Sequence, residues 1–142
     1  MTDACSNSVN IIHIINIDDS TAPVIAGLLT PVDIEGCSSS DVPAAVTTVA
    51  ALEALAGGIS ITDACTPDAS LSVSSTSVTL GTCPAVVTRT YTLTDACGNT
   101  VNLVQTINVD DNTAPVITGT IPVTNIEGCN VAAAPAPVNT VA

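Results

Sequence analysis

Residues 94–129, TDACGNTVNLVQTINVDDNTAPVITGTIPVTNIEGC, restate residues 2–37, TDACSNSVNIIHIINIDDSTAPVIAGLLTPVDIEGC. A single offset of 92 residues carries Thr2 onto Thr94 and Cys37 onto Cys129 without a gap, and it still places VPAAVTTVA (42–50) on APAPVNTVA (134–142). A fixed period is the signature of a repeat array, in which each period is one structural unit. The chain therefore reads as three parts. Residues 1–20 are the C-terminal part of a preceding repeat, 21–112 are one complete repeat, and 113–142 are the N-terminal part of a following one. A repeat of this length buries only a modest core. Met1 precedes the last part of a repeat, so the chain reads as an internal piece of a longer, exported protein.

Composition narrows the class of partner. The chain carries 13 Asp and Glu against a single basic side chain, Arg89, for a net charge of −12. Nucleic acid needs Lys and Arg to displace its counterions, and an anionic membrane surface needs the same. Neither fits. No apolar run is long enough to span a bilayer, so no direct membrane insertion is expected. Divalent cations, which favour carboxylate oxygens, do fit.

The text between the repeats' turns is strand-like. It is rich in Val, Ile and Thr, which suit a pleated, half-buried surface. Val9, Ile11, Ile15 and Ile17 lie in one phase, as do Val101, Leu103, Ile107 and Val109 in the second copy; period two predicts a strand. His13, replaced by Gln105 in the other copy, reads as structural. Val24–Ile34 reads as an edge strand interrupted by Gly27 and Pro31. A helix is expected over 49–56, capped by Thr and stopped at Gly57. Short strands follow at 59–62, 71–73 and 78–80, with a turn or bulge at 74–77 where the apolar phase switches. The strand at 85–94 is the strongest. It places Arg89 in the core-facing phase, where a carboxylate partner, Glu35 or Glu53, is expected. Many short strands, one short helix and a small core predict an all-β sandwich.

Six cysteines without C-x-x-C spacing point to disulfides in an oxidising compartment rather than to zinc. Tracing the strands up and down puts Cys37 and Cys83 at the outgoing end of the repeat and Cys65 and Cys97 at the incoming end. Bridged Cα atoms lie within about 7 Å, so Cys37–Cys83 and Cys65–Cys97 are the expected pairs. Cys5 and Cys129 correspond to Cys97 and Cys37. The same tracing brings the linker Asp18-Asp19 and the two TDAC turns, with Asp63 and Asp95, to the incoming end. Four converging carboxylates without a Lys repel one another unless a cation joins them. Ca²⁺ is therefore expected there, with Asp110 and Asp111 serving the next junction. Acidic residues are also ordinary in turns, and no EF-hand spacing is present.

Thr-Asp-Ala-Cys-Gly-Asn-Thr-Val, an apolar strand and Asp-Asp-Asn-Thr-Ala-Pro-Val-Ile together resemble the HYR-type immunoglobulin-like repeat. The closest style is that of the Thr- and Asp-rich versions arrayed in very large surface adhesins of Bacteroidota. Thr-Arg-Thr-Tyr-Thr-Leu-Thr-Asp-Ala-Cys-Gly-Asn at 88–99 matches as well. The resemblance covers the whole chain. It implies immunoglobulin-like tandem repeats with one short helix each, in an extracellular, cell-surface stalk or filament serving cell adhesion. The linker also resembles the calcium-binding junction of cadherins, with an extra Thr and one Asn fewer.

The expected function is thus a structural repeat of an adhesin stalk, stiffened by disulfides and calcium. Its partners are neighbouring repeats, other fibre chains or surface glycans. A carbohydrate-binding module of a secreted enzyme is the alternative, although Tyr91 is the only aromatic side chain. No nucleophile–base pair or phosphate loop points to an enzyme.

Overall fold

A computed structural model describes residues 1–137. The chain divides into two compact units, Met1–Asn112 and one beginning at Thr113. The first is all-β with little helix. Its strands are β1 (Val24–Ala26), β2 (Val32–Glu35), β3 (Ser60–Thr62), β4 (Ser72–Gly81), β5 (Ala85–Thr94) and β6 (Thr100–Asp110), with one helix, α1 (Val49–Glu53). β1 and β3 form a two-stranded antiparallel sheet; the other sheet runs β2-β6-β5-β4.

Strand alternation explains the large sheet. Ala85, Val87, Tyr91 and Leu93 of β5 face inward and are buried, as are Leu103, Ile107 and Val109 of β6. The two strands pair antiparallel from Ala85↔Val109 to Thr94↔Thr100. Against Tyr91, Leu93 and Leu103 pack Val49 and Leu52 of α1, Ile59 and Leu71, and Ile61 of β3. A second cluster joins Ala85, Val87, Ile107 and Val109, with Ile34 and Val42 against it.

Gly27 and Pro31 do interrupt 24–34, and the two pieces go to different sheets. β1 pairs with β3. β2, entered just after Pro31, pairs parallel with β6 at the sheet edge, where a missing N–H is tolerated. α1 ends at Glu53, earlier than expected. Thr48 Oγ1 caps it by accepting from Ala51 N at 3.2 Å. The chain then turns at Gly57, which has φ +136; a Cβ there would collide with the Leu28 carbonyl oxygen, so only glycine fits against the β1–β2 loop.

Three expectations are corrected. Residues 72–81 make one continuous strand, not two around a bulge, because every residue pairs with β5 from Ser72↔Thr94 to Gly81↔Ala85. The apolar phase lapses because Ser75, Ser77 and Thr79, although opposite inward residues of β5, remain exposed. Residues 9–17 form no strand, and Ile11, Ile15 and Ile17 are exposed. Their counterpart β6 is flanked by β5 and β2; here only an isolated Thr2↔Ser8 bridge forms. Arg89 does not meet a carboxylate. It donates to Pro43 O at 2.8 Å, Ser77 Oγ at 3.3 Å and Tyr91 OH at 3.5 Å. Glu53 instead accepts from Ile61 N, and Glu35 from Asn112 N.

In the second unit the counterparts of β1 and β2 are not strands among the described residues; only a short 3₁₀ turn, Val131–Ala133, forms. The expected following repeat beyond residue 137 lies outside the described residues. Among the described residues no helix is long and apolar enough to cross a membrane.

Leu52 is 0 % exposed and Leu80 is 78 % exposed. Leu52→Ala should cost about 2–5 kcal/mol in chemical denaturation, whereas Leu80→Ala should stay within about 0.5 kcal/mol. Equal losses would place the core elsewhere.

Candidate metal centre

Two Asp-Ala-Cys turns build the site. After β3, Asp63 Oδ1 accepts from Cys65 N at 2.9 Å and from Thr66 N at 2.6 Å. After β5, Asp95 Oδ1 accepts from Cys97 N at 2.9 Å and Asn99 N at 2.8 Å, while Asn99 Nδ2 donates to Asp95 Oδ2 at 2.8 Å. Such side-chain-to-backbone bonds are what make Asp a turn former. Thr66, itself buried, ties the turns together: its Oγ1 accepts from Ala96 N at 3.3 Å.

The incoming linker is fastened to the same place. Asn99 Nδ2 also donates to Asp19 O at 3.0 Å, and Asp19 Oδ1 accepts from Thr21 N at 3.0 Å. Carboxylate oxygens of Asp19, Asp63 and Asp95 then lie within 4.8 Å of one another. Asp19 Oδ2 is buried and has no hydrogen-bond partner. A buried, unpaired carboxylate oxygen is costly unless a cation or donor meets it.

Of the six aspartates expected as ligands, three therefore converge. Asp18 is exposed and stands outside the group. Asp110 and Asp111 are at the far end of the large sheet, where Asp110 O accepts from Gly36 N and Asp111 Oδ2 lies 3.8 Å from Cys37 Sγ. Sequence reasoning missed Thr66 and Asn99. Asn99 had a signal: the DACGN turn is echoed as DACSN at 3–7, with Asn7 in its place. His13 is exposed and takes no part.

Burial pushes the Asp95 carboxyl up, but bonds from the Asn99 side chain and from the Asn99, Cys97 and Gly98 backbone outweigh it and hold the group below its ordinary value. The Cys65 thiol is pushed up, first by the charge of Asp19, then by burial and by a hydrogen bond to the Asp19 side chain, with Asp63 and Cys97 contributing. Cys37 is pushed up first by Asp111, then by burial, with Asp41 and Cys83 contributing. Cys97 is thus a neighbour of Cys65, and Cys83 of Cys37. All six cysteines are free thiols in this structure, so the expected Cys37–Cys83 and Cys65–Cys97 bridges are not formed in it. The thiolate is the reactive form in disulfide exchange, and a carboxylate beside each pair opposes it.

No protein-family model, curated protein or solved structure matches the chain. The site is therefore read from its own chemistry.

A group whose pKa is depressed by folding adds stability above its unfolded pKa, and that stability is lost as pH falls through the folded value. Asn99→Ala should raise the Asp95 titration toward the ordinary aspartate range, followed by carboxyl NMR in EDTA, and move acid unfolding to higher pH. An unmoved Asp95 titration would mean that Asn99 does not set it.

Proposed function

We propose that this chain is part of an extracellular stalk of tandem immunoglobulin-like sandwiches. A calcium ion held by Asp19, Asp63 and Asp95 fixes each linker to the repeat that it enters. The observation that carries the reading is the buried, unpartnered Asp19 Oδ2 inside a cluster of three carboxylates. Like charges at that spacing repel, and Arg89, the only Lys or Arg of the chain, is engaged with Pro43, Ser77 and Tyr91. Ca²⁺ takes six to eight oxygens and tolerates irregular geometry, so carbonyls and water can complete its shell.

The cation joins two segments far apart in sequence, the linker and the DAC turns. Bound, it turns a peptide hinge into a fixed joint, which is what a spacer needs to hold an adhesive tip away from a cell. Disulfides Cys37–Cys83 and Cys65–Cys97 would fasten each end of the repeat. The 92-residue repetition supports a stalk, since a spacer needs length more than variety. Nothing favours the carbohydrate-binding alternative: Tyr91, the aromatic that would stack on a sugar, is 1 % exposed.

A ligand bound only by the folded form raises the melting midpoint as its concentration grows. At a hundredfold excess over Kd, calcium should raise Tm by about 10 °C relative to EDTA for a unit of this size. Asp19→Asn should abolish the shift, while Asp18→Asn should leave most of it. No shift in the parent chain would sink the cation; loss with Asp18→Asn and not with Asp19→Asn would relocate it.

A further inference from the structure

The large sheet has two edges, and they are built differently. β2 has four residues, follows Pro31 and carries Asp33 and Glu35. Short length, proline and charge are the usual means of keeping an edge from pairing with another chain. β4 has none of them. Its ten residues, SVSSTSVTLG, contain no charge and no proline, and its register with β5 runs without a bulge. Among the described residues nothing pairs with its outer edge. Nine of its ten residues are exposed, including Val78 and Leu80.

Charge is distributed in the same sense. No Asp or Glu occurs between Asp68 and Asp95, in a chain that has 13 of them. On the outward face, Asp33 pairs with Asn108 and Glu35 with Asp110 at the β2 side. Toward β4 the rows become Leu80–Val86–Asn108, Val78–Thr88–Thr106, Thr76–Thr90–Val104 and Ser74–Thr92–Asn102. Two copies of a molecule at −12 repel, and contact along β4 keeps their sheet carboxylates farthest apart.

We infer that the β4 edge is a self-association surface, pairing antiparallel with β4 of a second copy about a two-fold axis near Thr76. An isologous contact of this kind needs one self-complementary patch. β4 supplies it with a free backbone ladder, small Ser and Thr side chains and no like charges to oppose. The pairing doubles the four-stranded sheet. In a tandem array every repeat presents the edge, so weak contacts sum into lateral bundling of stalks. This inference does not depend on the cation at Asp19.

Sedimentation equilibrium of the full chain across a concentration series, at low and high salt, tests it. The expected result is a dimer that dissociates on dilution and tightens with salt, because screening relieves the general repulsion. Thr76→Glu with Val78→Glu puts like charges opposite each other at the edge and should weaken the dimer by about tenfold or more. Ala69→Glu, exposed and outside β4, should leave it near the parent value. A second readout uses the unaltered chain: amide exchange within 72–81 should slow as concentration rises. A chain that stays monomeric at high salt, a dimer unchanged by the paired Glu substitutions, or exchange independent of concentration would each overturn the assignment. A dimer made by the exposed apolar residues of 9–17 or 116–126 would give the second of these results.

Discussion

The β5–β6 pairing is the constraint on which the first unit depends. Its inward residues, Tyr91, Leu93 and Leu103 at one end and Val87, Ile107 and Val109 at the other, supply both core clusters. β4 is held by β5 and β2 by β6. α1 and the β1–β3 sheet have no comparable ladder to the large sheet; they are held by packing on Tyr91, Leu93 and Leu103. The two ends of the ladder also set the chemistry. The turn after β5 carries Asp95, Cys97 and Asn99, and the end of β6 carries Asp110 and Asp111. A polar layer crosses the middle: Arg89 stands opposite Gln105, and Tyr91 OH donates to Gln105 Oε1 at 3.4 Å. In an interior this small, burying a guanidinium against neutral acceptors works because its hydrogen bonds are made, even without an opposite charge.

What could be read from the sequence divides by the range of the forces involved. Local features were legible, and they recur wherever the text recurs. Asp3 accepts from Cys5 N at 2.9 Å and Asn7 N at 2.9 Å, and Asn7 Nδ2 returns to its Oδ2 at 2.8 Å. This is the arrangement of Asp95, Cys97 and Asn99, although the neighbouring residues 9–17 form no strand. The bond from the Asn7 side chain is the largest cause holding Asp3 below its ordinary pKa. Ser6 adopts φ 70 where Gly98 has φ 91, so the turn enforces its backbone even on a side chain. Likewise Asn130 caps the 3₁₀ turn at 131–133 as Ser38 caps the one at 39–41.

Strands were legible only where their partners stand in the same chain. The apolar phase of 9–17 matches that of β6, yet a phase only says which face would be buried. Pairing needs a neighbour, and the exposed isoleucines of that segment have none here to cover them. The same reason explains β4. The switch of apolar phase at 74–77 reads as a turn or bulge, whereas the strand runs straight through it with Ser75 and Ser77 left exposed opposite inward residues of β5. The parallel β2–β6 pairing was not legible, since nothing in VDIE states the direction of its neighbour. The convergence of Asp19, Asp63 and Asp95 was legible because it follows from chain direction alone. The exclusion of Asp18 was not, since a pair of adjacent aspartates gives no sign of which one turns inward.

Charge and shape together give the repeat two kinds of surface. Carboxylates gather at the ends: Asp19, Asp63 and Asp95 at one, Glu35, Asp110 and Asp111 at the other. The outward face from β4 to β6 carries Ser, Thr, Val, Asn and Leu80, with Asp110 at its β2 end. By the 92-residue offset, Asp111 occupies in its linker the place that Asp19 occupies before this repeat. The two equivalent positions have different cysteine neighbours in this structure: Asp111 lies beside Cys37, and Asp19 beside Cys65. A cation that compensates the aspartate also removes the charge that opposes thiolate formation in the adjacent pair. Under the proposed function, cation binding and disulfide closure then favour each other, because the Cys65–Cys97 bridge would fix the two turns that present Asp63 and Asp95.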